Sequence, residues 1–201
     1  MGPSKDGTLY EAAVGSVANG AGAHVFVRNT NRGLTRRGVI AFDISSGVLQ
    51  GAAIKGVTLT LNLSRAQASS QDVQLHRLLA DWGEGASDST GNEGRGTGAA
   101  AGDATWLHTN FDAATWQTPG GDFVPDPSSS LPVGGTGQYT WVSTEELIAD
   151  VQGWLDDPSN NFGWLLLVSE AGSRTAKRFD SRENSADAKR PTLTVTFTNG
   201  D

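Results

Sequence analysis

Apolar residues recur along this chain mostly with a period of two, in short runs separated by Gly, Asn, Asp and Ser. "GVTLTLNLS" (56–64) sets Val57, Leu59, Leu61 and Leu63 against Thr58, Thr60, Asn62 and Ser64, the alternation of a strand with one buried face. "PTLTVTFTN" (191–199) repeats it with Leu193, Val195 and Phe197. "HVFVRNT" (24–30), "RGVIAFDIS" (37–45), "DVQLHRLLA" (72–80) and "QYTWVS" (138–143) are further strand signals, rich in β-branched and aromatic residues. "FGWLLLVSE" (162–170) is apolar at both parities, which predicts a central strand covered on its second face as well.

A 3.6-residue period shows clearly once. "STEELIADVQGWLDDPSNN" opens with Ser143 and places Glu146 three residues later, the spacing of a capping box. Leu147, Val151, Trp154 and Leu155 share one stripe, and Pro158 closes the run, so a helix is predicted over 143–157. It is the expected cover for the apolar strand that follows.

Residues 81–137 follow neither period. Gly, Ala, Ser, Thr and Pro dominate, yet Trp82, Trp106, Phe111, Trp116 and Phe123 are spread through them. Disordered segments are poor in aromatic residues, so the stretch is predicted to be a folded loop layer packed on the strands. Residues 87–102 are the portion with nothing apolar to bury. The pattern as a whole predicts an all-β fold: an antiparallel β-sandwich of jelly-roll type with one short helix and a long loop layer.

The length of 201 residues suits one domain, read over 7–199, with residues 1–6 as a linker or remnant ahead of it. The lack of cysteine excludes disulfides and thiolate metal sites. A net charge of −7 argues against a nucleic-acid partner. No apolar run approaches the roughly 18 residues of a membrane span. The opening "MGPSKDGTLY" has no signal-peptide stretch, so any export signal is expected to have been removed.

The charge is uneven. Arg28, Arg32, Arg36 and Arg37 come with no acid between them, and Arg174, Lys177, Arg178 and Arg182 lie close together. One reading pairs them with Asp43, Asp180 and Glu183. The other joins Arg36, Arg37, Arg178 and Arg182 in a candidate anion patch on an acidic protein.

"KDGTLYEAAVGSVANGAGAHVFV", "TRRGVIAFDIS", "LHRLLADWGEG", "GDATWLH", "TPGGDF", "DVQGWLDDPSNNFGWLL" and "AKRFDSRENSADAKRPTLTV" together carry a resemblance that spans nearly the whole chain. The chain resembles the DNRLRE domain family, which is related to disaggregatase repeats and to a class of carbohydrate-binding modules. The resemblance implies a β-sandwich of secreted, surface or matrix proteins of bacteria and archaea, often beside carbohydrate-active domains. Its arginine and acidic positions map onto "RRGVIAFD" and "FDSRE". There, a ladder of charged pairs between strands and a groove for a uronic acid are the two readings.

Sugar sites combine aromatic rings, which pack on axial C–H groups, with planar polar side chains. Trp82, Glu84, Trp106, His108, Trp116 and His76 are the candidate carbohydrate-binding residues. The competing reading has the tryptophans anchor the loop layer while its acids cap turns. Calcium is the cofactor expectation, as a structural ion, with Asp81, Asp103 and Asp112 as candidate ligands, although no EF-hand ladder is present. His24, His76 and His108 stand in separate segments with no metal-binding spacing. Asp81 with Glu84, or Glu84 with Asp103, could make the two-carboxylate pair of a glycosidase. Nucleophile, zincin and phosphate-loop motifs are missing, and no catalytic residue is assigned.

These observations lead to one expectation: a non-catalytic module of an extracellular or cell-surface protein that binds a polysaccharide or cell-surface glycan. The alternatives are a structural or adhesive module that self-associates and, third, a glycoside-active enzyme. A net charge of −7 repels acidic glycans at long range, so these would need the arginine patch or calcium.

Overall fold

The computed structural model describes residues 1–27, 29, 33–67, 70–168 and 176–199. Arg28, Arg32 and Arg174 of the two basic clusters lie outside the described residues. In chain order the strands begin with β1 (Lys5–Tyr10), β2 (Val17–Ala18), β3 (His24–Val27), β4 (Arg36–Ala41), β5 (Ala53–Ala66), β6 (Gln71–Arg77) and β7 (Thr97–Gly98). They continue with β8 (His108–Asn110), β9 (Ala114–Thr115), β10 (Ser129–Val133) and β11 (Gly137–Trp141). Helix α1 (Glu145–Asp156) precedes β12 (Trp164–Val168), β13 (Lys177–Asp180) and β14 (Thr192–Thr198).

Two antiparallel sheets face each other, one ordered β1-β4-β12-β6-β10, the other β11-β5-β13-β3. Strand β14 also pairs with β5, on the edge opposite β11, since Thr60 faces both Thr140 and Thr192. Successive strands alternate between the sheets from β3 to β6 and again from β10 to β13, the winding expected of a jelly roll. The expected β-sandwich is therefore the observed architecture.

The core between the sheets is set by the alternation read from the sequence. Val57, Leu59, Leu61 and Leu63 of β5 pack with Ile40, Val73, Leu75, Leu166 and Phe179. Trp141 spans the gap, its indole N–H donating to the Val73 carbonyl at 2.9 Å.

A second core lies on the other face of the first sheet. Leu9, Val39, Leu78 and Leu165 project there and are covered by Trp82, Ala104 and Trp116 of the loop layer. This accounts for the two apolar faces of β12: Trp164, Leu166 and Val168 face the sandwich interior, Leu165 the loop layer. Helix α1 does not cover that second face, as the sequence had suggested. It packs at the inter-sheet core, with Trp154 and Trp164 ring centroids 4.5 Å apart.

Three local expectations are corrected by competing hydrogen bonds. The helix cap is Thr144, whose hydroxyl accepts from the Leu147 N–H. Ser143 is engaged elsewhere, bridging both backbone groups of Val57. Residues 1–6 are part of the domain: Met1 exchanges backbone bonds with Leu193, and Lys5 and Asp6 open β1 opposite Ala41 and Ile40. The 81–137 layer ends in a true strand, β10, paired with β6. Its Pro132 is tolerated because β10 is an edge strand.

Candidate functional site

Strand ends converge at one end of the sandwich. Tyr10 at the close of β1 faces Arg36 at the start of β4, and Lys177 at the start of β13 faces both Val27 and Ala66. Between them opens a cavity of about 890 Å³, within the roughly 300–1,000 Å³ of small-molecule sites. Its walls carry Arg36, Arg65, Arg95 and Arg178, with Glu11 the one acid, and the rings of Tyr10 and Phe26. Among the described residues, none of the four arginines makes an ion pair.

Each arginine is held differently. The Arg36 guanidinium stacks over Tyr10, 4.7 Å from its centroid, and donates to the Thr35 carbonyl at 2.8 Å. Its Nε is buried without a partner, and burial pushes its pKa down. Arg178 donates from Nε to the Ser64 hydroxyl at 3.1 Å and stands directly opposite Arg65. Arg65 and Arg95 are exposed, the latter on the Gly-rich loop. Like charges placed opposite one another on a sheet repel. Within a protein of net charge −7, these four make a local positive field in a concave site.

No family model matches the chain, and no curated protein does.

Of the candidate anion patch, Arg36 and Arg178 line this cavity, whereas Arg37 and Arg182 lie elsewhere. Arg37 donates to the Gly120 carbonyl at 2.8 Å and stacks on Trp106 at 4.8 Å, tying down the loop layer. Arg182 grips both oxygens of Glu84 and reaches Glu183 at 2.7 Å. In "FDSRE", Phe179 is buried in the core while Asp180 accepts from Asn62 at 2.6 Å and lies 3.5 Å from His24. Asp43 accepts from the Ser45 hydroxyl.

The loop-layer candidates are mostly interior. Trp82 and Trp116 are 2% and 4% exposed, their indole N–H groups donating to the carbonyls of Phe162 and Thr105. Neither ring has a free face for a sugar. Trp106 is half-buried with Arg37 on it. His76 is buried against Phe123, ring centroids 5.2 Å apart, and its Nδ1–H donates to the Val124 carbonyl. His108 is half-buried against Phe111 and bonded to the Thr105 hydroxyl.

The acids of the layer serve as braces. Asp103 is fully buried and accepts from the Ala100 and Ser87 N–H groups. Gly85, at φ +71°, leaves room for it, since a Cβ there would fall 1.7 Å from its Oδ1. Asp122 accepts from the N–H groups of Gln117 and Thr118. Asp81 is exposed and paired with Lys5 at 2.6 Å, and Asp112 sits exposed in the β8–β9 turn. Asp81, Asp103 and Asp112 therefore do not converge. The acidic group that does form among the described residues is Asp6, Glu84 and Glu183, with oxygens within 4.8 Å of one another.

Sequence reasoning missed Arg65 and Arg95. Arg65 carries a usable signal, a cation closing the uncharged alternating run "TLTLNLSRA". Arg95 hides in "GNEGRGTG", which reads as a flexible loop. That loop is in fact anchored by Glu93, buried and accepting from Asn19 and from the His24 backbone and ring. A short β2–β7 ladder pins its far side. Among the described residues, no helix is long and apolar enough to cross a membrane.

Proposed function

We propose that this protein is a non-catalytic polysaccharide-binding module of the DNRLRE type, working outside the cell, and that its ligand is an acidic glycan bearing carboxylates. The observation that carries this reading is the four-arginine cavity. Planar guanidinium groups match carboxylates in a bidentate fork and are weakly hydrated, so they bind uronic acids better than ammonium groups would. Tyr10 and Phe26 supply ring surface beside them for the C–H face of a pyranose. The unpartnered Nε of Arg36 is a buried donor that an anionic oxygen would satisfy. Overall charge opposes the encounter, and the cavity reverses that sign locally.

Affinity electrophoresis in gels containing polygalacturonate, alginate or a neutral β-glucan tests this. The proposal expects retardation by one or both acidic polymers and none by the glucan. Equal retardation by the glucan, or none by any polymer, overturns it. In the latter case, concentration-dependent self-association without sugar would support the adhesive alternative.

A further inference from the structure

The carboxyl groups of Asp6, Glu84 and Glu183 come from three distant segments: strand β1, the loop after β6 and the turn after β13. Arg182 sits among them. Its side chain holds both Glu84 oxygens and one Glu183 oxygen, and its backbone N–H donates to Asp6 Oδ2 at 2.8 Å. Glu84 Oε1 also accepts from the Asp6 N–H at 2.8 Å. Two oxygens are left over, Asp6 Oδ1 and Glu183 Oε2, both buried and without a hydrogen-bond partner. Asp6 itself is 1% exposed.

Three carboxylates against one guanidinium leave two negative charges around Asp6, which is shut off from water, with Glu84 and Glu183 half-buried beside it. Unpaired carboxylate charge at such depth is costly. A divalent cation would balance the charge and give both orphan oxygens a partner. The donors are all hard oxygens in an irregular arrangement, which suits calcium, with its 6–8 ligands and flexible geometry, better than the strict octahedron of magnesium.

We propose that Asp6, Glu84 and Glu183 form a calcium site that clasps strand β1, the 81–87 loop and the turn after β13 together. The site is separate from the arginine cavity, which lies at the other end of β1, and does not depend on what that cavity binds. The competing solution is a proton. Burial raises the pKa of both Asp6 and Glu183, and protonation would neutralise the excess charge without a metal.

Isothermal titration of the chelator-treated 201-residue chain with calcium chloride, alongside thermal melting with calcium or EDTA, separates the two. The calcium site predicts saturable uptake of one ion per chain and a melting temperature raised by calcium. Asp6→Asn and Glu183→Gln, checked for folding by circular dichroism, should each weaken uptake at least ~10-fold, while Asp112→Asn leaves it unchanged. No saturable uptake by the parent chain at millimolar calcium, with Asp6→Asn more stable than the parent at neutral pH, would overturn the site in favour of the proton. Undiminished uptake in both variants would also overturn it.

Discussion

Arg65 and Arg178 stand directly opposite each other across the β5–β13 ladder, two cations facing where a stabilising pair would have opposite signs. Among the described residues neither makes an ion pair, and the cavity they line gives the arrangement a use. Arg65→Glu should stabilise the protein by about 0.2–1 kcal/mol through a new cross-strand pair and should abolish retention by polygalacturonate. Urea denaturation and affinity electrophoresis on the same variant check both. A variant that is less stable, or that still binds, contradicts this account of the pair.

The buried tryptophans of the loop layer predict a stability effect. Trp82→Ala removes a ring packed on Leu9, Leu78 and Leu165 and should cost about 3–5 kcal/mol in urea denaturation. Trp106→Ala gives up a half-buried ring and its stacking on Arg37, worth about 0.5–1 kcal/mol in itself, and should cost clearly less. Equal costs would show that the two rings are not differently packed.

Much of the architecture was legible in the sequence because β-sandwich strands with one wet face write their burial as alternation. β5 and β14 show it directly. β1 and β10 were not legible: "KDGTLY" is buried from Asp6 to Tyr10 but fills those positions with Asp, Gly and Thr as well as Leu and Tyr, and "SSLPV" carries Pro on an edge strand, so neither shows an apolar alternation. The two apolar faces of β12 announced a second cover, but periodicity cannot say which element supplies it. The candidate site was less legible. The aromatic-rich 103–123 stretch reads equally as platform or as packing, and only burial decides between them. The arginine cavity is assembled from six separated segments, so no local motif marks it.

The choice between Ser143 and Thr144 as helix cap shows how a tertiary contact overrides a local motif. Thr144→Ala should lower stability by about 1 kcal/mol, measured by the urea midpoint. It also removes a 2.6 Å bond to the Ser128 carbonyl, which adds to the loss. Stability unchanged by Thr144→Ala would return the cap to Ser143.

His76 gives the fold a dependence on pH. Burial beneath the loop layer holds its pKa below the usual 6.5, and the Arg37 charge acts the same way, against opposing contributions from the Val124 carbonyl and Asp126. The unfolded chain therefore takes up a proton near pH 6.5 that the folded chain accepts only at lower pH. Below about pH 6.5 the unfolded state binds more protons, so this contribution to stability falls as the pH drops and levels off under the folded pKa. His76→Gln should flatten that part of the curve in melting experiments across the interval. An unchanged slope would mean that His76 is protonated as readily in the fold as outside it.

The account turns on where an acidic glycan is held. Titration calorimetry of oligogalacturonate into the parent chain, the Arg65→Ala/Arg178→Ala variant and Trp106→Ala decides it. The account predicts binding that weakens as salt is raised, is lost in the double arginine variant and persists in Trp106→Ala. Binding that survives the loss of both arginines but disappears with Trp106 would contradict it and place the site in the loop layer.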